Sequence, residues 1–577
     1  MRFTEGAGNS LYSLLNSVLD FQKMLKKSLF LFAVIWQWHA SAEPMPEIAS
    51  RGVASTAHPL ATQAAEEIYA LGGNSVDAAI AASFVLSVVE PTMSGLGGRS
   101  LAMVRTPDGE FYGYDGMTEI PKGFAKSDSM PSFGYSTVAT PGTVATLGAL
   151  HKRHGRLDFY VLLQPAIRLS LDGFHILPGE AARQGSALEK LKLSHGMTQL
   201  FVQRDGNTAT AGELLKQPAL AETLRRIAQH GYEEFYTGDT GKMIAQDMVD
   251  NGGYVTLEDL NEYRVLPARY IAIDYRGYTI HTVAAPGGGG LVAKALLILD
   301  TYDLSEIDDH DWAVIVSQAI ALSIESMQGN YYEEDLEGLL DRKWAIKEAM
   351  RIYKPAQKPR IKTHKAEIKA SDVTDWIGYP GAHTSHLAAQ DCSGLTISMT
   401  QTIGPIFGAK VATPELGFVY AATMGGYLRT GPQEPGDRPR TAIAPVIVTK
   451  NNKVVLSLGA AGGIRIPSAI VQIISRFIDQ KHTLADALAL PRVHPSVQIG
   501  ADDKRVVRLM AFDAETSNPG WTSSDIRHWR SEGFEVTEVS KAASFGRVNL
   551  VAKRAALLMG ETDPDWEGQA TGRTVCP

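Results

Sequence analysis

The sequence predicts a mixed α+β fold. Helical periodicity recurs through the first half, side-chain alternation switches to a period of two after Thr384, and no Pro/Ser-rich hinge divides the two regions. At 577 residues, 44% hydrophobic and 20% charged, the chain has ample apolar material for a large core. The formal charge is −8, with basic residues scattered along the chain. A nucleic-acid surface gathers Lys and Arg on one face, so binding to a phosphate backbone is not expected. The two cysteines, Cys392 and Cys576, make neither a disulfide scaffold nor a Cys-based zinc site, so core packing must carry the fold.

The N-terminus reads as an address. Lys26-Lys27 precede the apolar run Ser28 to Trp38, and Ala40-Ser41-Ala42 supplies the small residues of a signal-peptidase site. The run is shorter than the roughly 20 apolar residues of a membrane span, which favours export to the periplasm or medium over anchoring. Residues 1–42 are therefore set apart as extension and leader, and Met24 offers a second start codon beside Met1.

From Arg51 onward the elements follow in order. Ala61 to Leu71 and Ser75 to Val89 read as helices, and Leu101 to Arg105 and Phe111 to Tyr114 as strands. Helices continue over Pro141 to Leu150, Glu180 to Leu193, Pro218 to His230 and Asp239 to Asn251, where Gly252-Gly253 is the expected stop. A polar, lysine-rich stretch from Lys354 to Lys369 reads as an exposed connector, a natural place for a processed loop.

Beyond it, Leu395, Ile397 and Met399 alternate with Thr396, Ser398, Thr400 and Thr402, the pattern of a strand. Cys392-Ser393-Gly394 joins it to a preceding strand, Thr384 to Asp391, as a bulged hairpin with glycine in the left-handed position. Pairing Asp391 with Leu395 sets Thr384 opposite Thr402, at the ~5 Å side-chain separation that lets two hydroxyls bond. A one-residue slip would send them to opposite faces. Further on, Val454 to Leu458 reads as a buried strand, Gly459 to Gly463 as a flexible turn, and Pro467 as the opening of a helix bearing Ile470, Ile473, Ile474 and Phe477. Glycine amides ahead of a helix N-terminus suit an oxyanion; standing alone, the same residues read first as a glycine turn for tight strand–helix packing.

At these residues the chain resembles the γ-glutamyltranspeptidases, members of the N-terminal-nucleophile hydrolases, over about Arg51 to Gly568. The motifs that carry the resemblance include Gly72-Gly73-Asn74-Ser75-Val76-Asp77-Ala78-Ala79, Val88-Val89-Glu90-Pro91 with Ser94-Gly95-Leu96-Gly97-Gly98, Pro141-Gly142-Thr143-Val144 and Asp172-Gly173-Phe174. Phe235-Tyr236-Thr237-Gly238, Tyr275-Arg276-Gly277-Tyr278, Gly462-Gly463-Ile464-Arg465-Ile466 and Pro491-Arg492-Val493-His494 follow in order. The resemblance implies a four-layer αββα sandwich, made as one precursor that cuts itself between His383 and Thr384 into a large chain, 43–383, and a small chain, 384–577, of one domain. It further implies that Thr384 is the nucleophile, that Thr402 holds and polarises its hydroxyl, and that the N–H groups of Gly462 and Gly463 stabilise the oxyanion.

An N-terminal threonine needs no separate base. Its α-amino group has an ordinary pKa of about 7.7 to 8, suited to taking the proton of its own hydroxyl near neutral pH. No metal or organic cofactor is implied, because nucleophile, base and oxyanion donors all lie in the chain.

The positions that read γ-glutamate depart from the family pattern. Met117 stands where an arginine grips the substrate carboxylate, Gly404 replaces an asparagine, Thr423 and Gly426 replace the polar anchors of the α-amino group, and Thr441-Ala442 replaces a Ser-Ser pair. Removing one charge-assisted hydrogen bond costs about 1.5 to 3 kcal/mol, and several such removals together are enough to abolish selective γ-glutamyl binding. Arg99, where the family runs on with small residues, is either a compensating anchor for an acidic or oxo group or a structural or surface arginine. Of the remaining motifs, His386 reads as a packing or hydrogen-bonding residue, Asp308-Asp309-His310-Asp311 as a helix cap rather than a metal cluster, Pro286 to Gly290 as a flexible turn and Cys392 as a spectator in the hairpin.

The expected function is an exported, self-processing amidohydrolase or acyltransferase acting on a small-molecule amide whose acyl part is not a standard γ-glutamyl group, for example an oxo-acid amide, an acylated amino compound or a β-lactam side chain. Two alternatives stand beside it. One is a γ-glutamyltransferase or glutathione hydrolase with a rebuilt pocket, in which Arg99, Arg429 or Arg440 takes the carboxylate. The other is a catalytically silent binding protein that keeps the fold.

Overall fold

Helices form first where the sequence caps them. Asn74 and Asp77 make a reciprocal capping box at the head of the Ser75–Val89 helix, every residue of which is buried, as its all-round apolar sequence requires. In the computed structural model the chain is described over residues 52–125, 131–327, 338, 340–353, 384–424, 434–499, 505–517, 519–541 and 543–577. The expected leader, the Lys354 to Lys369 connector and the His383 side of the expected cleavage junction lie outside these residues.

The Ser75–Val89 and Pro218–His230 helices have the expected bounds. The helix expected from Pro141 begins instead at Thr143, with Gly142 as its N-cap and the Gly142 N–H donating to the Gly98 carbonyl at 2.8 Å. The Asp309–Ser326 helix is capped by the Asp308 side chain, which accepts the Asp311 N–H.

Two antiparallel seven-stranded sheets lie at the centre. The first runs in the order Gln569–Ala570, Gly52–Thr56, Ser385–Asp391, Thr396–Thr402, Arg99–Arg105, Phe111–Gly116, Leu266–Pro267. The second runs Arg573–Val575, Leu557–Thr562, Arg547–Arg554, Lys453–Ala461, Val446–Lys450, Tyr278–Val283, Tyr270–Tyr275. They face each other through the threonine and serine side of the hairpin: Ser398 Oγ donates to Leu458 O at 2.9 Å, and Ser457 Oγ to Ile397 O at 3.2 Å.

The alternate residues Leu387, Ala389, Ile397 and Met399 point the other way, into an apolar core shared with the Pro59–Ala70, Ser75–Val89 and Phe159–Asp172 helices. On the far side of the second sheet, the Gly289–Leu299, Asp309–Ser326 and Arg465–Ile478 helices close a second core. The result is the expected αββα order.

The Ser385–Asp391 and Thr396–Thr402 strands pair from Gln390 with Thr396 to Ser385 with Gln401, and Asp391 N–H donates to Leu395 O at 3.1 Å. The Asp391 carboxylate also accepts the Ser75 N–H at 3.0 Å, seating the hairpin against the positive end of the central helix.

Several expectations are corrected. Cys392 is not a spectator: it is disulfide-bonded to Cys576, tying the hairpin turn to the C-terminal tail across 184 residues of sequence. Gly459 to Ala461 belong to a strand rather than a flexible turn, since Gly459, Ala460 and Ala461 pair with Asn549, Val548 and Arg547. The following helix begins at Arg465, so Pro467 lies inside its first turn, where no N–H is needed. The Pro286 to Gly290 turn is pinned: Thr441 N–H donates to Pro286 O at 2.8 Å and Gly288 N–H to Ile443 O at 2.7 Å.

Candidate active site

Thr384 opens the Ser385–Asp391 strand at a central position of the first sheet, and its hydroxyl donates to Thr402 Oγ1 at 3.3 Å. The Gly404 N–H donates to the same oxygen at 3.0 Å. Gly404, standing where a side-chain amide was expected, thus contributes its backbone. Both threonines are buried, at 5% and 3% exposure.

The glycine pair leaves the second sheet beside them. Ala461 pairs with Arg547, whose Nη2 donates to the Thr384 carbonyl at 3.4 Å, and Gly462-Gly463 follow directly at φ 150° and 56°. The Gly463 conformation is left-handed, a region that favours glycine.

His386 is fully buried, with Nδ1 bonded to Thr400 Oγ1 at 2.8 Å, and burial pushes its pKa down to about 3. The imidazole is therefore neutral and serves packing. A Cβ on Gly459 would lie 2.4 Å from its Cε1, so the close approach of the two sheets at this ring depends on a glycine.

Sequence reasoning missed the charges behind the threonine. Glu90, at the C-terminal end of the central helix, accepts the Ser385 hydroxyl at 2.6 Å. Burial raises its carboxyl to about 7 against the pull of Arg183 and Arg547. Burial, then the Arg183 charge, brings Arg547 down to about 10. The available signal was a lone arginine heading the strand-like stretch Val548-Asn549-Leu550-Val551.

The expected substrate positions scatter. Met117 is fully buried in an apolar cluster with Leu101, Met103, Val283, Ile443 and Ile447. Arg99 is not on the surface. It is 2% exposed, it pairs with Thr402 in the strand register, and its Nη1 donates to Ala422 O at 3.0 Å and to Thr423 Oγ1 at 3.2 Å. Thr423 in turn donates to Thr118 Oγ1 at 3.0 Å.

Thr441 Oγ1 accepts the Ile443 N–H at 3.2 Å, and Ala442 is half-buried beside it. Arg438 is committed to Glu119 at 2.9 Å and Asp115 at 3.4 Å. Arg440 is half-buried, while Gly426 and Arg429 lie outside the described residues. Among the described residues no group of His, Cys, Asp or Glu converges to hold a metal ion.

A helix layer, two facing antiparallel sheets and a second helix layer, with a threonine at the head of a central strand, make up the architecture of the N-terminal-nucleophile hydrolases. The family model for gamma-glutamyltranspeptidase matches residues 61–573. A glutathione hydrolase proenzyme of Pseudomonas sp. (strain A14) is 28% identical over 505 residues, covering 80% of this chain and 84% of that protein. The acylase ACY 1 proenzyme of Pseudomonas sp. (strain V22) is 30% identical over 483 residues, covering 78% and 84%. The crystal structure of cephalosporin acylase from Bacillus halodurans superposes with a TM-score of 0.77 at 26% identity, covering 91% of this chain and 96% of that one. The chain belongs to the gamma-glutamyltranspeptidase family and is an enzyme of that amidohydrolase and acyltransferase class.

Proposed function

We propose that the chain is a self-processing N-terminal-threonine amidohydrolase whose acyl substrate is not a standard γ-glutamyl group. The observation that carries the catalytic half is the Thr384 hydroxyl on Thr402 Oγ1 at 3.3 Å, with the Gly404 N–H on the same oxygen. In maturation the Thr384 hydroxyl adds to the His383 carbonyl, the peptide C–N bond breaks, and the ester so formed is hydrolysed by water. This leaves 43–383 with a new carboxylate and 384–577 with a free amine.

In turnover that amine takes the proton of the Thr384 hydroxyl as the oxygen attacks a substrate amide. The N–H groups of Gly462 and Gly463 receive the oxyanion, and losing one such donor typically costs about 2.7 to 4 kcal/mol. The proton passes to the leaving amine, and water or an acceptor amine resolves the acyl ester.

The substrate half rests on Met117 being sealed in the apolar cluster between the sheets, where it reaches no carboxylate, and on Thr423 being engaged by Arg99 and Thr118. A buried guanidinium in strand register with Thr402 suits an acyl group that presents a carbonyl or carboxylate oxygen there rather than an ammonium. The acylase relatives, one named for cephalosporin, support amides of this broader kind. The apolar leader and the Cys392–Cys576 disulfide support export to an oxidising compartment. Among the described residues no helix is long and apolar enough to cross a membrane.

Intact mass and N-terminal sequencing of the protein beside its Thr384→Ala variant test the reading. Two chains, the smaller beginning at Thr384 and absent from the variant, are expected; an uncut parent would refute it. The glutathione hydrolase relatives favour a second reading, γ-glutamyl transfer through a rebuilt pocket. Turnover of glutathione at rates matching or exceeding those on acylated amino compounds would establish that reading instead.

A further inference from the structure

Behind Thr384 lies a buried charge network that the amide-cleaving steps leave unused. Arg547 opens its strand in the second sheet at 3% exposure, and its Nη2 bonds the Thr384 carbonyl at 3.4 Å. Its guanidinium lies over the Trp566 ring at 4.1 Å, and Arg183 lies 4.8 Å from the same ring. From the outer helical layer, Glu90 accepts the Ser385 hydroxyl at 2.6 Å and stands 3.6 Å from Arg183.

The charges facing Arg547 are Glu90 from the end of the Ser75–Val89 helix, Arg183 from the Pro178–Leu191 helix, and Asp563 and Asp565 from the segment after Leu557–Thr562. Those facing Glu90 are Arg183, Arg547 and Glu180. Two residues adjacent in the chain, 384 and 385, are thus each held by one of two oppositely charged residues that influence each other electrostatically.

We propose that Arg547 and Glu90 are positioning residues that orient the Thr384 backbone and set the proton affinity of the amine released there, Arg547 lowering it and Glu90 raising it. This rests on the reading of Thr384 as an N-terminal nucleophile. Standard bond lengths put a residue's nitrogen about 3 to 4 Å from its own carbonyl oxygen, so the guanidinium nitrogen stands within about 7 Å of the amine. At that distance in a partly shielded site, a unit charge moves a neighbouring cation's titration by about one to two pH units. Glu90 is one residue further back, behind Ser385, so its opposing effect is smaller. The net lowering keeps more of the amine unprotonated and ready to act as base near neutral pH. Because Arg547 is also the strand partner of Ala461, the same residue links the nucleophile to the Gly462-Gly463 turn.

The titration midpoint of the mature amine can be read without a substrate, by competitive acetylation with acetic anhydride across pH and mass spectrometry of the small chain's first peptide. Relative to the parent, Arg547→Gln is expected to raise the midpoint by about one unit, and Arg547→Lys to leave it within about 0.3 unit because the charge is kept. Glu90→Gln is expected to lower it by about half a unit. Midpoints that stay together in all variants, or that move alike in Arg547→Gln and Arg547→Lys, overturn the inference while leaving Thr384 as nucleophile. A parent that remains uncut refutes the nucleophile and the inference with it. If Arg547→Gln alone stays uncut, the opposite shift in Glu90→Gln decides the matter. If both charge-removing variants stay uncut beside a cut parent, the pair belongs to precursor folding and the inference falls.

Discussion

Replacing Thr402 with valine removes one oxygen and nearly preserves side-chain shape. That oxygen accepts two hydrogen bonds, from the Thr384 hydroxyl at 3.3 Å and from the Gly404 N–H at 3.0 Å. The first distance is long for an O–H···O bond, so the substitution takes a neutral hydrogen bond worth about 0.5 to 1.5 kcal/mol from the orientation of the proposed nucleophile. At 1.36 kcal/mol per factor of ten, self-cleavage should slow by about two- to tenfold.

The second effect falls on stability, since a buried Gly404 N–H left without its acceptor costs about 1 to 3 kcal/mol. Thr402→Ser keeps the oxygen and should stay within about twofold of the parent rate while losing only the methyl group's packing. Small-chain appearance followed by intact mass after refolding reports the rate, and urea unfolding in a Thr384→Ala background reports the stability of the uncut chain. A Thr402→Val protein that cleaves at the parent rate would refute the role given to Thr402. A Thr402→Ser protein as slow as Thr402→Val would assign the effect to shape rather than to the hydroxyl.

Gly459→Ala forces a methyl to within 2.4 Å of the His386 ring between the sheets, so it should destabilise by about 1 to 3 kcal/mol, and His386→Ala in the same chain should recover part of the loss; equal unfolding midpoints for parent and Gly459→Ala would contradict this packing. Glu90 is held at about 7 by burial, above its ordinary 4.5, so the folded state binds its proton more tightly than the unfolded chain does. Its stabilising contribution is complete below that ordinary value and is lost as pH rises through about 7, a difference of about 3 kcal/mol that Glu90→Gln should remove. Thermal midpoints of the two proteins should therefore converge in acid and separate toward pH 8 with the variant higher, and parallel curves would be evidence against it.

The features legible in the sequence were those that depend on near neighbours along the chain. Asn74 and Asp77 mark the head of the central helix because a capping box spans three residues. The Thr384 and Thr402 pairing follows from turn length and a period of two, both local, and the register from Gln390–Thr396 to Ser385–Gln401 carries it through. Strand ends were less legible: the apolar run that marks Val454 to Leu458 fades at Gly459, and only pairing with Asn549 to Arg547 shows that the strand runs on to Ala461.

What the tertiary structure alone decided is everything that joins distant segments. Arg99 lies beside Thr402, Arg547 touches the Thr384 carbonyl 163 residues away, Glu90 receives the Ser385 hydroxyl across 295, and Cys392 reaches Cys576 across 184. The sealing of Met117 among Leu101, Val283 and Ile443 belongs to the same group. Periodicity tells each strand which face it buries but not which strand lies beside it. Sheet order and the meeting of the two sheets are set by non-local packing of the whole chain, and the surroundings of Thr384 were therefore visible only once those sheets were in place.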